Sequence, residues 1–216
     1  MDFTPFVESG ISVCVFDFGG CGMAREEFIT MGYREKDELG CVIDFLKNTY
    51  GFKQIILYGL SMGAFTTALV MSERDDITCG IIDAAYSSVG DFLKRFVSQT
   101  EYQDVREYIQ EKMGFDIEKV DAVEAAKNIT APVLFLSGKN DRVCPLAMGR
   151  KIFEACSSTD KHWAEFKCGH AWPRGYEIAE IVRTFIGEKT VVQIKGETYY
   201  FLSINPQCQF ASAAPR

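Results

Sequence analysis

Gln54-Ile55-Ile56-Leu57-Tyr58-Gly59-Leu60-Ser61-Met62-Gly63-Ala64-Phe65-Thr66-Thr67-Ala68-Leu69-Val70-Met71-Ser72 is the stretch that decides the fold. Its first part, Gln54–Leu60, is a strand-length run with apolar residues on both faces, as a buried parallel strand requires. Ala64–Ser72 is helical in pattern. Between them Gly59-Leu60-Ser61-Met62-Gly63 reads G-x-S-x-G, in which small glycines permit a sharp strand-to-helix turn that lifts Ser61 clear of the sheet. The competing reading is a glycine-lined turn whose serine only caps the helix.

The same punctuation recurs on both sides. Ile11–Phe18, Cys79–Tyr86, Pro132–Ser137 and Trp163–Cys168 are further short runs rich in Val, Ile, Leu or Phe. Helical patterns fall near Tyr33–Asn48, Ala147–Cys156 and Tyr176–Ile186. Strand and helix therefore alternate, which predicts an α/β domain with a mostly parallel sheet, right-handed crossovers and helices on its faces. The 216 residues make one domain over 1–216. Residues 87–130 exceed a simple crossover and carry helical stretches at Asp91–Phe96, Tyr102–Met113 and Ile117–Lys127, so a small helical cap is expected there. Over 188–216, Thr190–Ile194 and Thr198–Leu202 flank Lys195-Gly196 and predict a C-terminal hairpin followed by a polar tail.

Composition narrows the partners. With 47% hydrophobic and 25% charged residues the chain is globular, not disordered or coiled-coil. A net charge of −7 with dispersed Lys and Arg gives no footprint for nucleic acid or for a polybasic membrane patch. No run of about 18 apolar residues exists to span a bilayer, and Met1-Asp2-Phe3-Thr4-Pro5 lacks the start of a signal peptide. The eight cysteines are scattered, several within apolar runs, and none forms C-x-x-C; they read as reduced thiols in a soluble, cytoplasmic protein.

The chemistry sits at strand ends. Serine is a poor nucleophile until a base takes its proton, and the chain has two histidines. His170 follows the last strand in Cys168-Gly169-His170, on the edge where Ser61 stands; His162 precedes that strand and reads as a surface histidine. An acid must fix the tautomer of the base. Asp141 follows the preceding strand in Ser137-Gly138-Lys139-Asn140-Asp141-Arg142-Val143, and Asp83, near the end of its own strand, is the rival. Asp17-Phe18-Gly19-Gly20-Cys21-Gly22 lacks the features of a phosphate loop and reads as a structural turn beside the site. Arg34-Glu35-Lys36-Asp37-Glu38 reads as a solvated helix start. Phe92, Phe96, Tyr102 and Tyr108 of the cap either line an acyl pocket or pack against the sheet.

Four motifs in order, GISVCVFDFGGCG (Gly10–Gly22), YGLSMGA (Tyr58–Ala64), PVLFLSGKNDRVCP (Pro132–Pro145) and KCGHAWP (Lys167–Pro173), make the chain resemble the α/β-hydrolase superfamily, in its serine aminopeptidase-like and monoglyceride lipase-like branch. The resemblance implies a serine hydrolase acting on an ester, thioester or amide. It makes Ser61 the nucleophile, His170 the base, Asp141 the orienting acid and the Met62 N–H one oxyanion donor, with no cofactor or metal and with a small-molecule or acylated substrate. Peptide cleavage is the less expected of these activities, because no group for a substrate's amino terminus is legible.

One departure from the pattern stands out. Family members carry earlier strands, the third of which lies between those matching Ile11–Phe18 and Gln54–Leu60 and supplies a second oxyanion donor. Without it, the two neighbours would stand roughly 10 Å apart at ~4.8 Å per strand. The unpaired backbone would cost on the order of 10 kcal/mol, comparable to a domain's whole stability. The expectation is a sheet with a central hole, filled by direct closure, by the C-terminal hairpin or by another chain, or a chain that is part of a longer protein. A truncated chain, with its N-terminal strands missing, is the favoured reading. Such a chain would be a weak hydrolase, or an inactive fragment or binding module that keeps the triad as relics.

Overall fold

The computed structural model describes residues 6–7, 10–25, 28–170, 176–189 and 199–204. The expected strands appear as β1 (Ile11–Val15), β2 (Ile55–Leu60), β3 (Cys79–Asp83), β4 (Val133–Gly138) and β5 (Lys161–Phe166). Helices α1 (Glu35–Tyr50), α2 (Met62–Glu73), α6 (Leu146–Ala155) and α7 (Tyr176–Lys189) fall between or after them. The cap segment holds α3 (Val89–Leu93), α4 (Gln99–Met113), a 3-10 turn at Ile117–Lys119 and α5 (Ala122–Ala126). Ser98 starts α4 with a reciprocal box: its hydroxyl takes the Glu101 N–H, and the Glu101 carboxylate takes the Ser98 N–H at 2.7 Å. Asp121 caps the start of α5, accepting from the Val123 N–H at 2.7 Å and the Glu124 N–H at 3.1 Å.

A sixth strand, β6 (Tyr199–Ile204), completes a sheet of order β1-β6-β2-β3-β4-β5 in which every pair is parallel. Of the ways in which the expected central gap could be filled, the C-terminal segment is the one observed, since β6 occupies the position between β1 and β2. The expected hairpin is corrected. The second arm of the expected hairpin is β6 itself, and with β1 on one edge and β2 on the other it has no edge left for an antiparallel partner. The first arm, 190–194, lies outside the described residues. Period-2 alternation explains why a segment read as a hairpin arm serves equally as an inner strand, since alternation fixes strand type and not strand partner.

Both faces of the sheet are buried, as the apolar runs require. Ile55 and Leu57 of β2 and Val133 and Phe135 of β4 share one cluster with Leu39, Ile43 and Leu46 of α1, Phe65 and Leu69 of α2 and Ile152 of α6. The alternate residues Ile56, Tyr58, Leu134 and Leu136 meet Ile178, Val182, Phe185 and Ile186 of α7. Leu39, Ile43 and Leu46 recur at helical spacing, so α1 presents a single apolar stripe to the sheet.

The start of α1 differs from its reading as a solvated face. Glu35 is buried, and its carboxylate accepts from the Thr30 N–H at 2.7 Å, the Thr30 hydroxyl at 2.5 Å and the Gly32 N–H at 2.8 Å. A first-turn carboxylate folds back to satisfy the loop that enters the helix, and the desolvation of the charge is offset by these three donors. That loop closes against the core through Met31, whose carbonyl accepts from Tyr86 Oη at 3.0 Å.

Candidate active site

Parallel strands bring the loops after β2, β4 and β5 to one edge of the sheet, and each carries one of the three singled-out side chains. Ser61 stands between the end of β2 and the first residue of α2 with φ 57° and ψ −116°, a conformation that L-residues rarely adopt. Two backbone bonds hold it there: its N–H donates to the Asp83 carbonyl at 2.9 Å, and its carbonyl accepts from the Phe65 N–H at 3.0 Å. The turn requires Gly59, because a Cβ there would lie 2.1 Å from the Gly63 carbonyl oxygen. The helix backbone passes directly over the strand end, which is the physical content of the G-x-S-x-G spacing.

The other two loops are zipped together by their backbones. Beyond the paired strands, the Lys139 N–H donates to the Phe166 carbonyl at 2.7 Å and the Asn140 N–H to the Cys168 carbonyl at 3.0 Å. A Cβ on Gly138 would lie 2.6 Å from that Cys168 oxygen, so glycine is what lets the loops approach. The continued ladder carries Asp141 to His170. The Asp141 side chain is buried, and its Oδ1 accepts from the Val143 and Cys144 N–H groups at 2.9 and 2.8 Å. Its Oδ2 lies 2.8 Å from His170 Nδ1. An ionised carboxylate can only accept, so Nδ1 carries the proton and Nε2 presents a lone pair. That Nε2 lies 3.0 Å from Ser61 Oγ, within reach of the hydroxyl proton.

The remaining candidates sort clearly. Asp83, the rival acid, is buried and its Oδ2 accepts from Tyr58 Oη at 2.7 Å, while His170 turns to Asp141. His162 lies in β5, paired in register with Leu134, and meets Asp160 at 2.8 Å on an exposed surface. The Met62 N–H is the first of α2 and has no carbonyl one turn back in the helix to bond, so it is free of the helix ladder at the site. Cys144 stands behind the acid loop. Burial and then the Asp141 charge push its thiol up to about 12, so at neutral pH it is protonated and is no rival nucleophile to Ser61.

An aromatic row runs from the helix after Ser61 out to the cap. Phe65 stacks on Tyr86 with centroids 4.2 Å apart, Tyr86 meets Phe92 at 4.8 Å, and Phe92 meets Phe96 at 5.0 Å. Phe96 ends the row exposed, and Met23, Phe28 and Ile29 in the loops after β1 are exposed as well. The Arg95 guanidinium donates to the Arg142 carbonyl at 2.8 Å and ties the cap to the acid loop. Tyr102 does not join this row: it is buried, with its hydroxyl on Glu118 at 2.6 Å, and Tyr108 is exposed on α4. The sequence reading missed Tyr86 and Glu35. Tyr86 had a signal, since it closes an apolar run just past a strand end that faces the site.

Residues 2–171 match the family described as the prolyl oligopeptidase family. The chain belongs to that family. It is 26% identical over 194 residues to an uncharacterized membrane protein of Saccharomyces cerevisiae, covering 83% of this chain and 62% of the yeast protein's length. Its fold is that of the α/β-hydrolases. A Pyrococcus furiosus esterase superposes with a TM-score of 0.63 at 20% identity, covering 81% of this chain and 69% of that one. A Paleococcus ferrophilus monoacylglycerol lipase does so with a TM-score of 0.56 at 22% identity and 80% coverage of each. No helix among the described residues is long and apolar enough to cross a membrane.

Proposed function

We propose that the chain is a serine hydrolase that cleaves carboxylic esters or thioesters through an acyl-enzyme on Ser61. The observation that carries the reading is the pair of consecutive contacts, Ser61 Oγ to His170 Nε2 at 3.0 Å and His170 Nδ1 to Asp141 Oδ2 at 2.8 Å. His170 takes the hydroxyl proton as Oγ adds to the acyl carbonyl, and returns it to the leaving alkoxide or thiolate. Water then attacks the acyl-Ser61 ester, gives its proton to His170 and releases the acid. Asp141 holds the tautomer and stabilises the imidazolium. The Met62 N–H, at the positive end of α2, faces the oxyanion.

An ester or thioester suits this site better than a peptide. Capturing a substrate's amino terminus requires a carboxylate, and among the described residues of the loops after β1 Asp17 accepts the Met23 N–H, Glu38 the Gly19 N–H and Glu35 those of Thr30 and Gly32. The aromatic row from Phe65 to the exposed Phe96 offers apolar surface for an acyl or alcohol portion. The similar folds include an esterase, a monoacylglycerol lipase and an acylaminoacyl peptidase, so the preference for an ester rests on the site and not on them. The non-catalytic reading rested on a missing strand and on the second oxyanion donor that strand supplies; β6 stands in the strand's place, which removes the first of these grounds.

The test is turnover of p-nitrophenyl acetate and butyrate and of a short acyl thioester by the full chain and by Asp141→Asn. The variant keeps its shape but favours the wrong imidazole tautomer, so kcat should fall by about 10⁴-fold. Equal turnover by the two proteins would refute the assigned roles.

A further inference from the structure

Among the described residues β1 has one strand partner, β6, and β6 alone joins it to the rest of the sheet. Tyr200 pairs with Ser12 on one side and Ile55 on the other; Leu202 pairs with Cys14 and Leu57. The slot between β1 and β2 is thus one strand wide, and its two walls supply backbone donors and acceptors along their whole length. The β2 wall is held without the occupant, by β3 and by clusters shared with α1, α2 and α7; the β1 wall has its strand pairing from β6 alone and is otherwise anchored through Ile11, in the cluster of Ile56 and α7. The occupant comes from far away in sequence, 199 − 60 = 139 residues after the end of β2 and beyond α7.

We propose that the β1/β2 slot is a strand-acceptor site that takes a parallel extended segment by main-chain pairing on both edges. Residues 199–204 are a separable ligand for it that also binds when supplied in trans. Recognition of this kind draws affinity from backbone hydrogen bonds and excludes proline, which has no N–H to give. The sequence Tyr199-Tyr200-Phe201-Leu202-Ser203-Ile204 is rich in aromatic and β-branched or aliphatic residues and contains no proline, as an inner strand needs. Occupancy reaches the active site through register: Ile204 lies beside Gly59, two residues before Ser61. Resting on the hydrolase reading, this second half makes activation of Ser61 depend on a filled slot.

A tethered strand outcompetes a free peptide, because its effective concentration is in the millimolar range. The experiment therefore weakens β6 in the full chain with Leu202→Pro and adds a fluorescein-labelled peptide spanning residues 197–205, read by polarisation. The variant should bind the peptide at least about tenfold more tightly than the wild type, whose slot is filled, and the same peptide carrying proline at position 202 should not bind. Fluorophosphonate labelling of Ser61, reduced in the variant, should return with the peptide. A folded variant, by far-UV circular dichroism, that binds no better than the wild type overturns the proposal. Should the variant not fold, amide exchange of the wild-type chain decides. Matched protection of β1 and residues 199–204, both opening before β3 and β4, supports the slot, and unprotected amides at 199–204 overturn it. Peptide binding without Ser61 labelling in any protein would support the slot and count against the hydrolase reading alone.

Discussion

His170→Ala is expected to lower kcat for ester hydrolysis by about 10⁴–10⁶-fold, while His162→Ala leaves it within about twofold. The chain holds only these two histidines, so the pair makes an internal control. His170 Nε2 is 3.0 Å from Ser61 Oγ and its Nδ1 is fixed by a buried carboxylate, whereas His162 sits at the start of β5 with Asp160 and belongs to the opposite edge of the sheet. Without the imidazole the hydroxyl proton has no acceptor, and what remains is the contribution of the Met62 N–H and of substrate binding. KM should change little, since the imidazole acts on the reacting atoms and not on the remainder of the substrate. Steady-state kinetics of both variants provide the check, and equal losses in the two would overturn the assignment of the base.

The second large effect falls on a residue that touches no substrate. Gly59→Ala puts a methyl group 2.1 Å from the Gly63 oxygen, 2.2 Å from its carbonyl carbon and 2.5 Å from the Ala64 nitrogen. All three are backbone atoms of the turn and of α2, so no side chain can swing aside. Relief requires lifting the helix start away from β2, against the Phe65 and Leu69 contacts in the core and the two backbone bonds at Ser61. A destabilisation of about 3 kcal/mol or more is expected, at the upper end for overpacking, together with loss of Ser61 reactivity as its φ relaxes. The urea midpoint and the rate of fluorophosphonate labelling measure the two parts. A variant with an unchanged midpoint would show that the elbow does not depend on that close approach.

The parts of this molecule written as local patterns were legible in the sequence. Strand after strand of apolar residues on both faces became β1 to β5 within a few residues of the expected bounds, because a sheet buried on both sides leaves no other composition possible. Ser61, Asp141 and His170 were placed by chain order and by the rule that parallel strands deliver their following loops to one edge. What escaped was non-local. Thr198–Leu202 alone does not tell an inner parallel strand from a hairpin arm; the missing strand made this segment one of several candidates for the gap, and the choice among them depends on an opening between strands over a hundred residues earlier. Glu35 escaped for a related reason: in a charged run it looked solvated, and only the folded loop reveals that Thr30 and Gly32 turn their N–H groups toward it. The Gly138 contact with Cys168, which zips the acid loop to the histidine loop, joins positions whose proximity exists only in the sheet.

The intact mass of the full chain after incubation with a fluorophosphonate, beside that of Ser61→Ala, tests the central claim most directly. The site described here predicts a single adduct on the wild-type chain and none on the variant, because only a serine whose proton is taken by His170 attacks phosphorus at a useful rate. A folded wild-type chain that gains no mass, or a Ser61→Ala chain that gains the same mass, would contradict it.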